Sequence, residues 1–457
     1  MGVGGRTRPR RVVVVGASLA GLFAAAASGA AGTSVTVLER DELPDVPEAR
    51  SGVPQGRQPH VFLYRGLLAV EQLLPGLRAE LLAAGAVPID SGDLAWLGEF
   101  GWAPGGRREF EVLSATRPLF EQLVLRRVRA LPGVHVRDGT KVDFVGRGDG
   151  DAPWSVRLTD GSTLDADLVV DASGRASRLP TWLSAMGLGP ATTSELDARI
   201  GYATRVYAVR SERVRPAGLV LQQTPEAPAG ALALPVEGGR WLIGAIGSGE
   251  RRPPRDTAGF CDFLDGLRDG AISEVVRTAE PLGDVVVHRQ TANRRHHYER
   301  LRDWPEGLIV VGDALCAFNP VYGQGVTVSA CEALLLQHAL VRGLRRGDER
   351  RLLRGFGKVI ALPWAIATGE DRRYLATAGR LSPAHDVLDR WTRELARLSA
   401  HGDELAQASV SRVYHLMASP LLLFRPGLLA AALRARLRGY GPSTPRPQIV
   451  DPAPAQP

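Results

Sequence analysis

The hydrophobic pattern changes period along the chain. Arg11-Val12-Val13-Val14-Val15 is an unbroken β-branched run and reads as a buried parallel strand. An alanine-rich stretch, residues 19–31, follows with helical character. Ser34-Val35-Thr36-Val37-Leu38 is the next strand, which completes a βαβ start. Residues 67–84 read as helix, and Thr116-Arg117-Pro118 opens another that runs to Arg129. Val134-His135-Val136, Trp154-Ser155-Val156-Arg157-Leu158 and Asp167-Leu168-Val169-Val170 read as strands, the last two flanking the hairpin signal Asp160-Gly161. Strand-like runs then dominate: residues 202–207, 218–222, 231–235 and 240–246, as expected of a largely antiparallel sheet. From Val326 onward the pattern is mostly helical.

The pattern predicts an α/β chain with a Rossmann-like nucleotide-binding domain assembled from residues 10–90, 114–180 and 286–345. A mainly antiparallel substrate domain is inserted as 91–113 and 181–285. A helical C-terminal region covers 346–440, and 1–9 and 441–457 read as disordered tails.

Chemistry enters at the strand ends. Gly16-Ala17-Ser18-Leu19-Ala20-Gly21 lies between the first strand and helix, where Gly16 permits a tight turn and Gly21 lets helix and sheet approach. The free N–H groups of that helix start suit a pyrophosphate, and Ser18, at the usual middle glycine, is placed to cap the helix. Glu39, followed by Arg40, sits where a ribose-binding acid belongs. Far downstream, Leu308-Ile309-Val310-Val311 ends in Gly312-Asp313, beside Pro320-Val321-Tyr322-Gly323-Gln324-Gly325. One long cofactor spanning both elements accounts for the pair, and FAD has the required length and polarity.

Composition narrows the partners. The net charge of +7 is spread along the chain, and Lys141 and Lys358 are the only lysines, which disfavours nucleic acid. Cys261, Cys316 and Cys331 lack metal-ligand spacing, so no metal site is expected, and reduced thiols fit a cytoplasmic protein. The basic lead-in has no apolar core of a signal peptide. Residues 416–433 are apolar but broken by Pro420, Arg425 and Pro426, so they cannot span a bilayer as one helix. Packing onto the body is the expected fate, with peripheral membrane contact as the alternative.

With Asp171-Ala172-Ser173-Gly174-Arg175 as a middle motif, the order of fingerprints resembles the flavoprotein monooxygenases, the group of p-hydroxybenzoate hydroxylase and squalene epoxidase. Gly52-Val53-Pro54-Gln55-Gly56-Arg57-Gln58-Pro59-His60, Asn293-Arg294-Arg295-His296-His297-Tyr298 and Trp304-Pro305-Glu306-Gly307 resemble the actinobacterial polyether epoxidases of the monensin and lasalocid type. Ala317-Phe318-Asn319-Pro320-Val321-Tyr322-Gly323 and Gly201-Tyr202-Ala203-Thr204-Arg205 share that resemblance.

The resemblance implies that Asp313 bonds a ribitol hydroxyl and that Pro320, Gly323 and Gly325 bring backbone to the flavin. It also implies that Arg57 and Arg117 lie near the FAD phosphates or ribose. Ser173-Gly174 departs from the usual Asp-Gly, which weakens a nicotinamide role there. Trp96, Phe100 and Trp102 are candidates for lining a hydrophobic substrate's pocket, and Tyr202 and Arg205 for binding the polar end of that substrate. His60 could face the flavin or be structural.

No side chain is assigned as catalytic, because a flavin C4a-hydroperoxide formed with O2 would itself attack an electron-rich alkene. Electrons would come from NAD(P)H or a separate flavin reductase. The rival activities are aromatic hydroxylation and reduction of prenyl double bonds in the manner of geranylgeranyl reductases. Halogenation is disfavoured by the missing Trp-x-Trp-x-Ile-Pro signature, and a non-enzymatic flavin sensor remains a further reading.

Overall fold

The computed structural model describes residues 9–60, 62–105, 108–375 and 383–452. Five parallel strands form the central sheet, in the order Leu308–Val310, Leu168–Asp171, Arg11–Val15, Ser34–Leu38, Val134–Arg137. Val12, Val13, Val14, Val35 and Val37 are buried, as expected for a sheet covered on both faces. The Leu19–Gly29 helix packs on one face together with the Gly325–Arg342 helix.

The 67–84 stretch divides into helices Tyr64–Leu73 and Leu77–Ala83, because Pro75-Gly76 interrupts it and Gly76 takes φ +87°. Thr116 caps the Arg117–Arg129 helix by accepting from the Leu119 N–H at 3.3 Å. The Asp160-Gly161 turn pairs Trp154–Leu158 with Thr163–Ala166 rather than with residues 167–170. Asp167 accepts the N–H groups of Arg10 and Arg11 at 2.8 and 2.9 Å and redirects the chain into the parallel sheet.

A seven-stranded sheet forms the second layer, in the order Ala279–His288, Ile200–Val209, Arg240–Ser248, Ala229–Val236, Gly218–Leu221, Leu94–Gly98, Gly101–Trp102. One face is closed by helices Thr257–Asp265 and Ala271–Arg277 around Phe260, Ile272 and Val275. The other faces the parallel sheet's carboxyl edge, where Thr204 on the second strand bonds Gln58 at 2.5 Å.

Helices Asp348–Arg372, Pro383–Ala400, Glu404–Tyr414 and Pro426–Arg438 make the C-terminal region. The expected disordered tail after 440 does not hold for residues 441–452. Ile449 is buried in the substrate sheet's core, Val450 bridges Val214, and Arg446 pairs with Asp269 and Glu274. An apolar residue within a proline-rich run gave no periodic signal of this docking. Residues 1–8 and 453–457 lie outside the described residues.

Candidate functional site

A parallel sheet brings every strand's carboxyl end to one edge. Gly16, Glu39 and Gly312-Asp313 lie just past three such strand ends and Asp171 closes a fourth, so motifs nearly three hundred residues apart meet at one edge of the sheet. Gly16 has φ +103°, and a Cβ there would sit 2.5 Å from the Ala172 carbonyl oxygen. A Cβ on Gly21 would come within 1.8 Å of the Gly16 oxygen. Turn and helix thus touch backbone to backbone, and Leu19 and Ala20 begin the helix with no side chain capping their N–H groups.

Ser18 does not cap. Its hydroxyl instead donates to Glu121 at 2.7 Å and accepts from Arg117 at 3.0 Å. Around this helix start lies a buried ionic cluster. Glu39 accepts the Ala17 N–H at 2.8 Å, Arg50 lies 3.2 Å from Glu39 and 3.3 Å from Asp41, and Arg117 pairs with Glu121 at 2.9 Å. Burial pushes the Glu121 carboxyl up, but the Arg117 and Arg50 guanidiniums outweigh it and leave it below its ordinary value. Arg50 and Glu121 are absent from the sequence reading; Arg50 is set by a loop whose fold no local pattern announces. Arg40 is half-exposed beside Asp41, and Arg57 lies exposed in the short Pro54–Arg57 turn without a hydrogen-bond partner among the described residues.

At the other end, Gly312 takes φ +62° and packs against Ala20, where a Cβ would meet the Ala20 methyl at 2.6 Å. Its N–H donates to Glu332 at 2.8 Å, and burial, then Asp313, raises that acid to about 8 despite the bond. Asp313 is no helix cap: its side chain is 30% exposed and pairs with Arg175 at 3.4 Å, which leaves acceptor capacity facing the cleft. Arg175, from the middle motif, also donates to the carbonyls of Ala292 and Phe318. Asp171 turns inward, where Ser173 and Ser177 each donate to it at 2.5 Å.

The Pro320–Tyr322 turn is fixed from below. Asp371, fully buried on the Asp348–Arg372 helix, accepts from Asn293 at 2.6 Å, Asn319 at 3.0 Å and Tyr322 at 2.7 Å. Burial raises Asp371 to about 6, although these three donors favour its charged form. Tyr202 donates to the Asn319 Oδ1, which links the substrate sheet to the same network. Gly323 takes φ +64°, and Gln324 follows with both amide atoms unpartnered at 1% exposure. Gly325 then opens its helix. A buried amide without a partner, at a glycine-flanked helix start, marks a place built for a polar ligand.

Strand alternation sorts the proposed pocket residues. Tyr202 faces the cleft, and Trp96 meets Tyr414 edge-on at 6.4 Å. Trp102 does not line the cleft: it is buried with Ala95 and Leu97 in the core under the helices. Arg205 lies on the opposite face from Tyr202 and Thr204, donating to the Gly283 carbonyl at 2.8 Å and stacking over Tyr207. His60 is held to about 3 by burial and then by Arg117, and is neutral. Burial holds His415 to about 4. Among the described residues no cluster of ligands could hold a metal ion.

Residues 113–186, the Arg117 helix through the middle motif, match the tryptophan halogenase family. Protein Rv3254 of Mycobacterium tuberculosis is 32% identical over 404 residues, which cover 84% of each chain. Kynurenine 3-monooxygenase of Salinispora tropica is 29% identical over 345 residues, 73% of each. The flavin-dependent brominase Bmp2 superposes with a TM-score of 0.62 at 15% identity, over 94% of this chain and 100% of that one, a likeness of fold alone. Similarity to the mycobacterial protein along most of both chains places this chain in that protein's family, and the halogenase match and the kynurenine monooxygenase similarity support an FAD-binding, flavin-dependent monooxygenase or halogenase type.

Proposed function

We propose that the chain holds FAD across the carboxyl edge of its parallel sheet and uses O2 to epoxidise a carbon–carbon double bond of a hydrophobic polyketide or terpenoid. Electrons come from NAD(P)H or a separate flavin reductase. The residues fit the cofactor: an uncapped helix start between touching backbones, Asp313 with a free oxygen, and the orphaned Gln324 amide beside the Gly323 turn.

When bound, FAD supplies the redox chemistry that activates O2. In this reading the helix N–H groups receive the pyrophosphate, and Glu39, steadied by Arg50, accepts ribose hydroxyls. Asp313 accepts a ribitol hydroxyl. Tyr202, Trp96 and Tyr414 close the cleft against water.

What supports an alkene is that burial leaves the histidines near this site weak bases. Burial keeps His60 and His415 neutral with depressed values, raises Tyr202 well above its usual range, and raises Tyr414 to about 12. Asp371 spends its carboxylate on three internal donors. A phenol substrate benefits from a base that takes its proton; an alkene needs none. Halogenation is the second reading, favoured by the match over residues 113–186, but the Trp-x-Trp-x-Ile-Pro signature is missing from the sequence.

Turnover under labelled O2 with NADPH, a flavin reductase and bromide tests these readings on linear polyenes, terpenoids and phenols. One labelled oxygen in an epoxide is the expected product. Label in a new phenolic hydroxyl, or a brominated product, overturns the epoxidase reading.

A further inference from the structure

Eight of the eleven large hydrophobic side chains that stand exposed among the described residues lie between 387 and 437: Val387, Leu388, Met417, Leu421, Phe424, Leu429, Leu433 and Leu437. Their concentration in one region sets them apart from scattered surface apolar residues. Leu429, Leu433 and Leu437 recur every fourth residue on the Pro426–Arg438 helix, so they form one stripe, exposed by 50%, 60% and 76%. The opposite face is fully used: Leu428, Ala431, Ala432 and Ala435 pack with Leu395 and Leu398 in the C-terminal core. Packing onto the body therefore accounts for half of this helix and leaves the other half unpartnered.

Charge identifies what covers the stripe. On a helical projection Arg425 and Arg436 border it on one side, and Arg434 and Arg438 on the other. The helix carries no acidic residue. Arg436 reaches Glu394 at 3.2 Å; Arg425, Arg434 and Arg438 have no acidic partner among the described residues. Two copies pairing through this face about a two-fold axis would set arginines against arginines, which disfavours a second chain as occupant. A span is excluded as well, since no described helix is long and apolar enough to cross a membrane. Leucines between two rows of arginines match a phospholipid surface, with apolar side chains at the acyl boundary and guanidiniums at the phosphates.

We propose that residues 420–438 dock the protein flat on an anionic phospholipid surface. The preceding Pro420–Phe424 turn adds Leu421 and Phe424, exposed by 77% and 46%, with the Phe424 ring held against Trp391. The same helical region carries Tyr414, whose hydroxyl reaches the Tyr322 carbonyl at 3.5 Å, so the docked surface and the cleft share one rigid support. This inference rests on the surface alone and stands whatever the cleft oxidises.

Vesicle flotation of the full-length protein as purified tests it, with phosphatidylcholine alone against vesicles in which roughly a third of the lipid is phosphatidylglycerol. The expected result is co-flotation with the anionic vesicles only, weakened by salt. L429S/L433S/L437S removes side chains that are at least half exposed, so the variant should stay folded with at most a small drop in its thermal melt, while its vesicle partitioning falls by about tenfold or more. R434Q/R438Q should keep the melt and lose the preference for phosphatidylglycerol. Failure of the parent to float, or equal flotation of the triple-serine variant, overturns the proposal. So does a leucine-dependent dimer, or an acidic protein that occupies the face while vesicles do not.

Discussion

At the Gly16 end of the cleft, charge is met by charge: two arginines, Arg50 and Arg117, lie among three carboxylates, Glu39, Asp41 and Glu121. At the Asn319 end, Asp371 is bonded only by neutral donors, two amides and a phenol. The first arrangement sets guanidiniums against carboxylates, and Arg117 and Arg50 hold the Glu121 carboxyl below its ordinary value. The second leaves a carboxyl raised to about 6 and derives its precision from hydrogen-bond direction rather than from charge. A motif-built turn can thus rely on two touching glycines, whereas a loop without such contact is steadied by a buried network from another part of the chain.

The sharpest break of that contrast is Gly21→Val. Its Cβ would lie 1.8 Å from the Gly16 oxygen, so backbone must move, at a cost on the order of several kcal/mol. The expected outcome is a chain that retains no flavin, read as loss of visible absorbance after desalting, with a lowered melting temperature.

Asp371→Ala attacks the other end. It strands the donors of Asn293, Asn319 and Tyr322 in a buried site, at about 3 kcal/mol or more. The melting temperature should fall and the flavin's visible spectrum should lose its fine structure. An unchanged spectrum would mean that the network does not govern the loop.

Glu332→Gln separates stability from charge. The folded carboxyl titrates near 8, above its ordinary 4.5, so its stabilising contribution is complete below about pH 4.5 and is lost as pH rises through 8. Glutamine still accepts the Gly312 N–H but does not titrate. Thermal melts should decline less steeply between about pH 5 and 9 in the variant than in the parent.

Glu39→Gln should be the mildest change. The bond to the Ala17 N–H survives while the charge pairing with Arg50 and the acceptor of the Asp41 N–H are lost, and FAD affinity should fall about tenfold, or ~1.4 kcal/mol, by equilibrium titration. The visible spectrum should not change, because this end is remote from the Asn319 loop.

The same contrast explains what the sequence discloses. Gly16, Gly21 and Glu39 declare themselves because the turn, the helix and the acid fall within one βαβ unit. Gly312-Asp313 is legible as the end of a buried apolar run. Asp371 is not, since it sits in a helix most of whose charged residues are not buried, and its partners come from residues 293, 319 and 322. That Trp102 and Arg205 turn away from the cleft is illegible for a simpler reason. Aromatic and basic character says nothing about which side of a strand a residue occupies until the register is known.

Ile449 carries a consequence for synthesis. The inserted sheet has all of its strands by His288, yet its core is completed by a side chain from near the end of the sequence. During translation that sheet waits, with part of its apolar interior open, while the rest of the parallel sheet and all of the C-terminal helices emerge. Its final closure cannot precede the emergence of the strand and helices that follow it in the chain.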